Sequence, residues 1–287
     1  MKKFFGISVV ILIFLGGFVF YQFAKFNDSR LHIIFCDVGQ GDGIFIRTAS
    51  NKNFLIDAGS DEKIIGCLER HLPFWERNIS VAFLSHPHLD HFAGFNYVVK
   101  RYNLISFATE DLNNKSASFQ GLLSQIKDKG LKVQYLLAGD SFKTKDGARF
   151  LVLGPTKDYI QKTSPNGQIG ESKESASLVI LLSYGSFTSI FTGDSQATGL
   201  SEAISGSIQN IKIFGVPHHG SKTGLNSEIL NKLKPSYAII SVGKNNKYGH
   251  PNAFTLDLLN KFNIKILRTD KNGDIEIISD GKSFKIR

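Results

Sequence analysis

Between positions 85 and 91 the chain reads Ser85-His86-Pro87-His88-Leu89-Asp90-His91. Three imidazoles and one carboxylate fall within six positions, and three of the chain's eight histidines are placed there. Imidazole nitrogen and carboxylate oxygen are the usual donors for zinc and similar ions. His86 and His88 alternate along an extended segment, so both rings can face one ion. Asp90 and His91 then turn toward a second position nearby. Two ions held in this way can clamp the attacking and leaving oxygens of a phosphate or acyl group. Further ligands can come from Phe191-Thr192-Gly193-Asp194, from Val216-Pro217-His218-His219-Gly220-Ser221 and from Tyr248-Gly249-His250-Pro251. Only His32 and His71 lie outside these clusters.

The neighbouring sequence supplies the scaffold. Val81 to Leu84 is a short apolar run suited to a buried strand, and Phe92-Ala93-Gly94-Phe95 opens a helix. Loops at strand ends are where a rigid scaffold carries chemistry. Strands are expected at Leu31–Phe35, Ile44–Thr48 and Phe54–Ile56, with helices near Ile64–His71, Phe92–Tyr102 and Ser118–Lys127. A second series of strands follows at Phe150–Leu153, Ser177–Leu182, Thr188–Phe191, Ile211–Phe214 and Tyr237–Ser241. Helices are expected at Ser227–Leu233 and at Ala253–Phe262, the latter capped by Asn252. Strands at Ile264–Arg268 and Asp274–Ile278 flank a Lys271-Asn272-Gly273 turn. Two strand-rich halves, each with its own helices, predict two sheets packed face to face with helices outside. The polar stretch from Gly154 to Ser175 reads as a long loop, functional or disordered.

The first 27 residues stand apart. Met1-Lys2-Lys3 precedes Phe4–Ala24, 21 residues in which only Ser8 and Gln22 are clearly polar. That length can span a bilayer. A cleaved signal peptide is the other reading, but the apolar run is long for one and Gln22 sits poorly before Ala24. The expected organisation is an anchor at 1–27 and a hydrolase domain at 28–287. Lys2 and Lys3 would stay in the cytoplasm, leaving the domain extracytoplasmic. Without residues 1–27, which hold three lysines and no acid, 31 basic and 25 acidic residues leave a net charge of +6. That suits an anionic partner such as nucleic acid, an envelope polymer or a membrane surface, and equally a solvated lysine-rich surface. Cys36 and Cys67 could pair outside the cell, but two buried thiols are the default on spacing. The single tryptophan, Trp75, is expected in the core.

The pattern at 86–91 resembles the H-x-H-x-D-H signature of metallo-β-lactamase fold hydrolases. More closely, the chain resembles the metal-dependent domain at the end of ComEC-type DNA-uptake proteins. The stretches that carry this are Cys36–Asp42, Leu55–Gly59, Leu84–Gly94, Ser177–Val179, Phe191–Asp194, Pro217–Ser221, Ile240–Gly243, Tyr248–Pro251, and Arg268–Asp270 with Gly273. The resemblance implies an α/β fold, the αββα four-layer sandwich, with metals at the sheet edges. It also implies phosphodiester hydrolysis, in ComEC-type proteins of DNA. By the same resemblance His86 and His88 would hold the first metal, Asp90 and His91 the second, and Asp194 would bridge them. A histidine of the His218-His219 pair, with His219 favoured, would complete a site. His250 would be a ligand or a proton donor to the leaving oxygen. Asp37 and Asp57 would brace the ligands, or serve only as strand-end turn residues. Gly220 and Ser221 amides with Lys222, and Lys244 with Lys247, could hold a neighbouring phosphate.

Two departures qualify the resemblance. No histidine lies between His91 and His218, where many relatives supply another ligand; this chain has Glu174-Ser175-Ala176-Ser177 there. The first metal site would then be short of a ligand, and one ion rather than two is possible. ComEC-type channels also carry a large polytopic membrane domain, whereas this chain has one candidate span. The expected function is therefore a divalent-metal (zinc or manganese) extracytoplasmic phosphodiesterase or nuclease acting on single-stranded DNA, with Asp90 or Asp194 orienting the attacking hydroxide. A cell-envelope phosphodiesterase and a non-catalytic scaffold are the rival readings.

Overall fold

The computed structural model describes residues 2–172, 176–206 and 208–287; for residues 2–6 and Val9 it describes backbone alone. After helix α1 (Lys2–Phe26) the chain forms β1 (Leu31–Phe35), β2 (Ile44–Arg47), β3 (Asn53–Ile56), α2 (Lys63–His71), β4 (Asn78–Ile79) and β5 (Val81–Leu84). Next come α3 (Leu89–Phe92), α4 (Phe95–Arg101), β6 (Asn103–Leu104), β7 (Phe107–Thr109), α5 (Ala117–Asp128) and β8 (Val133–Tyr135). The second half holds β9 (Ser141–Lys143), β10 (Arg149–Gly154), α6 (Lys157–Thr163), β11 (Val179–Tyr184), β12 (Phe187–Phe191), α7 (Ala197–Ala203) and β13 (Ile213–Gly215). A 3-10 turn, Pro217–Gly220, leads to α8 (Ser227–Leu233), β14 (Tyr237–Ile240), α9 (Ala253–Lys261), β15 (Lys265–Arg268) and α10 (Thr269–Asn272). Finally β16 (Ile275–Ser279) and β17 (Phe284–Ile286) return to the first sheet.

The first sheet runs β17-β16-β1-β2-β3-β5-β7-β8 and the second β15-β14-β13-β12-β11-β10-β9. Strand residues alternate between two apolar faces, because successive side chains point to opposite sides of a sheet. Ile33, Phe35, Phe54 and Phe83 meet Phe150, Phe191 and Ile213 in the core between the sheets. On the outer face of the first sheet, Ile34, Phe45 and Leu55 pack with Leu68 of α2, Val98 of α4 and Leu122 of α5. On the outer face of the second, Ile190, Phe214 and Ile240 pack with Leu200 of α7, Leu230 of α8 and Leu259 of α9. Both faces of each sheet are thus covered, giving the expected αββα sandwich. Full burial of each such side chain contributes about 1.5–3 kcal/mol.

Several expectations change. The helix expected over Phe92–Tyr102 is two helices, α3 and α4, broken at Ala93-Gly94. The Gly94 amide donates to Gly59 O, and a Cβ there would sit 1.9 Å from Ala58 O. Contact with the β3 loop therefore sets the break. The stretch expected as a loop contains α6, capped by Thr156 accepting from the Tyr159 amide; Glu174 and Ser175 lie outside the described residues. Cys36 and Cys67 are a disulfide rather than two thiols, since packing of α2 beneath β1 brings their Cα atoms within 5.8 Å. Trp75 is not in the core; it and Phe74 are 45% and 52% exposed. Among the described residues no helix is long and apolar enough to cross a membrane. The anchor expected over 1–27 falls partly on side chains outside the described set.

Candidate metal centre

Parallel pairing fixes where the chemistry gathers. β3 and β5 run parallel in the first sheet, and β12, β13 and β14 do so in the second. The loops after these five strands carry Asp57, the 85–91 segment, Asp194, His218-His219 and the Ser241–His250 stretch. Ligand sites outside the carboxyl ends of parallel strands follow from this wiring. His88 is extended (φ −87°, ψ 149°) and caps α3, so Asp90 and His91 enter on its first turn. One close approach needs glycine: Gly41 has φ +114°, and a Cβ there would lie 1.9 Å from Asp90 O. The Asp37–Gly43 loop can therefore close under α3 only without a side chain at that position.

Asp194 stands at the centre. Its Oδ1 lies 3.2 Å from His91 Nε2 and 3.4 Å from His219 Nε2, with Asp90 Oδ2 3.4 Å from that same His219 nitrogen. Its Oδ2 lies 3.7 Å from both His86 Nε2 and His218 Nε2, and His88 Nδ1 is 2.8 Å from His86 Nε2. The two carboxylate oxygens thus face two donor groups: His86, His88 and His218 on one side, Asp90, His91 and His219 on the other. Both histidines of the 218–219 pair take part, one on each side. Left-handed backbone at both (φ 50° and 54°) turns their rings apart, a region where His is among the better-tolerated side chains. His218 thus offers a nitrogen on the side of His86 and His88 from another strand end.

The far nitrogens of the rings are held from behind. Asp57 Oδ2 accepts from His91 Nδ1 at 2.8 Å, while its Oδ1 accepts from the Ser85 amide at 2.7 Å. Ser241 O accepts from His219 Nδ1 at 3.0 Å, and Asp42 Oδ1 is 3.5 Å from the same atom. Both Nε2 atoms therefore face Asp194, and once deprotonated each can offer its lone pair to an ion there. His91 Nε2, His219 Nε2 and Asp194 Oδ1 are buried and have no hydrogen-bond partner. Unsatisfied buried polar groups are costly, and a native structure keeps few of them without a reason. A divalent cation satisfies all three at once, and the donor set of imidazole and carboxylate suits it. The residues present fit such an ion.

The electrostatics agree. Burial disfavours charge on His91 and His219, yet the adjoining carboxylates, Asp194 foremost, hold both pKa values well above the ordinary histidine range. Burial opposes ionisation of Asp194 as well, but His91 and His219 draw its carboxyl well below the usual range. His86 and His88 are pushed down by burial, which keeps these imidazoles neutral. Cavity walls that stabilise imidazolium in this way also stabilise a metal cation. His250 borders the cleft with its ring centroid 5.5 Å from that of His218, and its Nδ1 is buried without a partner. Burial lowers its pKa.

Some expected residues stand elsewhere. Asp37 is turned away from the centre: its carboxylate faces the Gly39 amide at 3.4 Å and its own amide donates to Asp274. Asp42, five residues on, takes the bracing place. Its position after Gly39-Gln40-Gly41 was the signal available in the sequence. The Ser221 amide donates to His218 O and its hydroxyl pairs with Thr223, so neither is open to a phosphate. Lys222 is solvent-exposed. Glu110, just after β7, went unnoticed in the sequence. It is fully buried, with Oε1 unpartnered, and burial drives its pKa well above the carboxylate range.

Comparison with known proteins bears on the family and the fold. The family model described as the metallo-beta-lactamase superfamily matches residues 36–244. ComE operon protein 3 of Bacillus subtilis is 29% identical over 265 residues, covering 84% of this chain and 32% of that protein. Competence protein ComA of Neisseria gonorrhoeae is 26% identical over 274 residues, covering 94% and 36%. The chain spans about a third of the length of the curated relatives it matches. Among solved structures, the metallo-beta-lactamase fold protein YhfI of Bacillus subtilis superposes with a TM-score of 0.55 at 12% identity, over 85% of this chain and 98% of that one. That likeness concerns the fold alone.

Proposed function

The chain belongs to the metallo-β-lactamase superfamily, and on that premise we propose that it is a metal-dependent phosphodiesterase acting on DNA. The observation that carries the reading is the convergence of His91 Nε2, His219 Nε2 and Asp194 Oδ1, all buried and without a hydrogen bond, both nitrogens lying within 3.4 Å of that oxygen. Asp194 with His86, His88 and His218 would hold one ion, and Asp194 with Asp90, His91 and His219 would hold another. The donors favour zinc, with manganese the alternative. Such an ion, when bound, supplies Lewis acidity and lowers the pKa of water. The chain's own residues do the rest. Asp57 and Ser241 O fix the rings of His91 and His219. Gln196 Nε2 lies 2.9 Å from His218 Nδ1, and with its amide turned over its carbonyl accepts from Nδ1–H, leaving Nε2 free. His250 borders the cleft where a leaving oxygen would emerge and contacts it there. Lys244 and Lys247, exposed in the same loop, meet the flanking phosphates.

Nucleic acid as substrate rests on the relatives, named for competence and recombination, and on the net charge of +6 outside residues 1–27. An extracytoplasmic setting is supported by the Cys36–Cys67 disulfide, because such bonds persist in oxidising compartments. The α1 sequence, which opens on Lys2 and Lys3 and continues with the apolar run Phe4–Ala24, supports a membrane anchor.

The test uses the full chain in detergent, stripped of metal and reloaded with zinc or manganese. Bound metal is counted, and single-stranded DNA is compared with bis-(p-nitrophenyl) phosphate as substrate. Metal uptake with DNA cleavage is the expected result. Cleavage of the small diester alone points to another phosphodiester, and absence of metal uptake overturns the reading.

A further inference from the structure

The exposed aromatic pair Phe74-Trp75 lies far from the metal centre. It follows α2, with Trp75 set edge-on to Phe74 at 4.9 Å between ring centroids. Phe74 also stacks on Phe18 of α1, centroids 5.6 Å apart. Phe26, at the end of α1, is buried beneath the Arg47 guanidinium at 5.1 Å. Eight residues separate Phe26 from Phe18, about 12 Å along a helix axis. The Phe74 ring therefore touches α1 well beyond the point where α1 leaves the domain.

The intervening residues mark an interface. Lys25 is exposed, Tyr21 is 58% exposed, and Phe18, Phe20 and Phe23 are exposed and apolar. From Lys25 inward the exposed aromatic side chains are Phe23, Tyr21, Phe20 and Phe18, an aromatic run beside a lysine of the kind favoured at a membrane surface. With Lys25 among headgroups, Phe18 lies about 10 Å deeper, at the edge of the hydrocarbon. Phe74, stacked on it, is carried to the same depth, and Trp75 is at the level where tryptophan is favoured.

The position in the fold gives an orientation. Trp75 shares its surroundings with Asn53, the first residue of β3. Asp57, just past the other end of β3, braces the metal centre. The aromatic turn and the cleft are therefore at opposite ends of one strand.

We propose that the Pro73-Phe74-Trp75 turn is a second membrane contact, inserted into the leaflet surface through which α1 emerges, so that the domain sits on the bilayer with its cleft facing away. This rests on the reading of α1 as a membrane anchor.

Trp75 is the chain's only tryptophan, so its fluorescence reports on this turn alone. The full chain is reconstituted into vesicles of phosphatidylcholine and phosphatidylglycerol, with and without brominated acyl chains, and floated on a density gradient. The expected result is co-flotation, a blue-shifted Trp75 emission, loss of that emission in brominated lipid, and weaker loss for Phe74→Ser. Co-flotation with Trp75 quenched by iodide but not by bromine places the turn in water and overturns the proposal while the anchor stands. Shielding from both quenchers means that protein covers the turn, which also overturns it. Failure to float removes the anchor reading and the proposal together.

Discussion

Two clusters of histidines and carboxylates occupy this domain, and they differ in whether their polar atoms have partners. On the β1–β16 flank, His32 lies between Glu276 and Asp28 at 2.8 and 2.9 Å. Nearby, Asp274 accepts from Arg70, His71 and the Asp37 amide. Cys67, His71 and Asp274 lie close enough together to suggest a metal site, but the Cys67 sulfur is bonded to Cys36 and Asp274 is fully engaged. Around Asp194 the same residue types leave three buried atoms without a hydrogen bond, the two imidazole nitrogens facing the carboxylate oxygen. A high density of ligand-type side chains is common to both places. Donor atoms aimed at a shared point and not hydrogen-bonded elsewhere occur only at the second of these two clusters.

That contrast can be broken most directly at Asp194. Asp194→Asn should abolish metal retention and lower hydrolysis on the order of 10³-fold, read by metal analysis and turnover; a variant that keeps both ions and its activity would show that Asp194 is not shared between them. Asp57→Asn tolerates the same left-handed backbone (φ 57°) but weakens the grip on His91 and the Ser85 amide. Bracing residues of this kind usually matter about 10–100-fold in metal affinity, measurable by competition with a chelator. His218→Asn removes a direct donor and should cost the first ion at least the roughly 10–100-fold that loss of a bracing residue costs while leaving the second in place, so stepwise metal titration ought to lose one phase alone.

The other cluster should answer differently. Asp274→Ala should leave metal content unchanged and cost about 1–3 kcal/mol of stability, by thermal or urea unfolding. Burial acts against ionisation of Asp274, but bonds from His71, the Asp37 amide and Arg70 draw its pKa down to about 2. A carboxyl depressed in the folded state stabilises fully above its unfolded pKa near 3.9 and loses that contribution as pH falls through about 2. Acid unfolding of the wild-type chain between pH 4 and 2 should therefore include a term that Asp274→Ala lacks.

Much of the fold was legible because strands buried on both faces read as continuous apolar runs. Leu31–Phe35 and Thr188–Phe191 are largely apolar or β-branched in this way; β1 occupies the first residue for residue and β12 starts one residue before the second, at Phe187. The short strands β7, β8 and β9 were not, since three residues at a sheet margin carry too little pattern. Trp75 misled because size and apolarity suggest burial, whereas its place after α2 leaves it at the surface.

At the candidate metal centre, the donors that are neighbours along the chain could be read from local sequence. His86, His88, Asp90 and His91 are adjacent enough for local geometry alone to bring them together, and Asp194 and His219 could be placed by resemblance. Tertiary structure decided the rest. It turned His218 and His219 to opposite oxygens of Asp194, chose Asp42 over Asp37 as a brace, and closed Cys36 onto Cys67. Each of these joins or separates groups through backbone conformation and packing between distant elements. Local sequence fixes which atoms a residue offers; only the folded chain fixes which of those atoms are already satisfied, and the unsatisfied ones are where a ligand can bind.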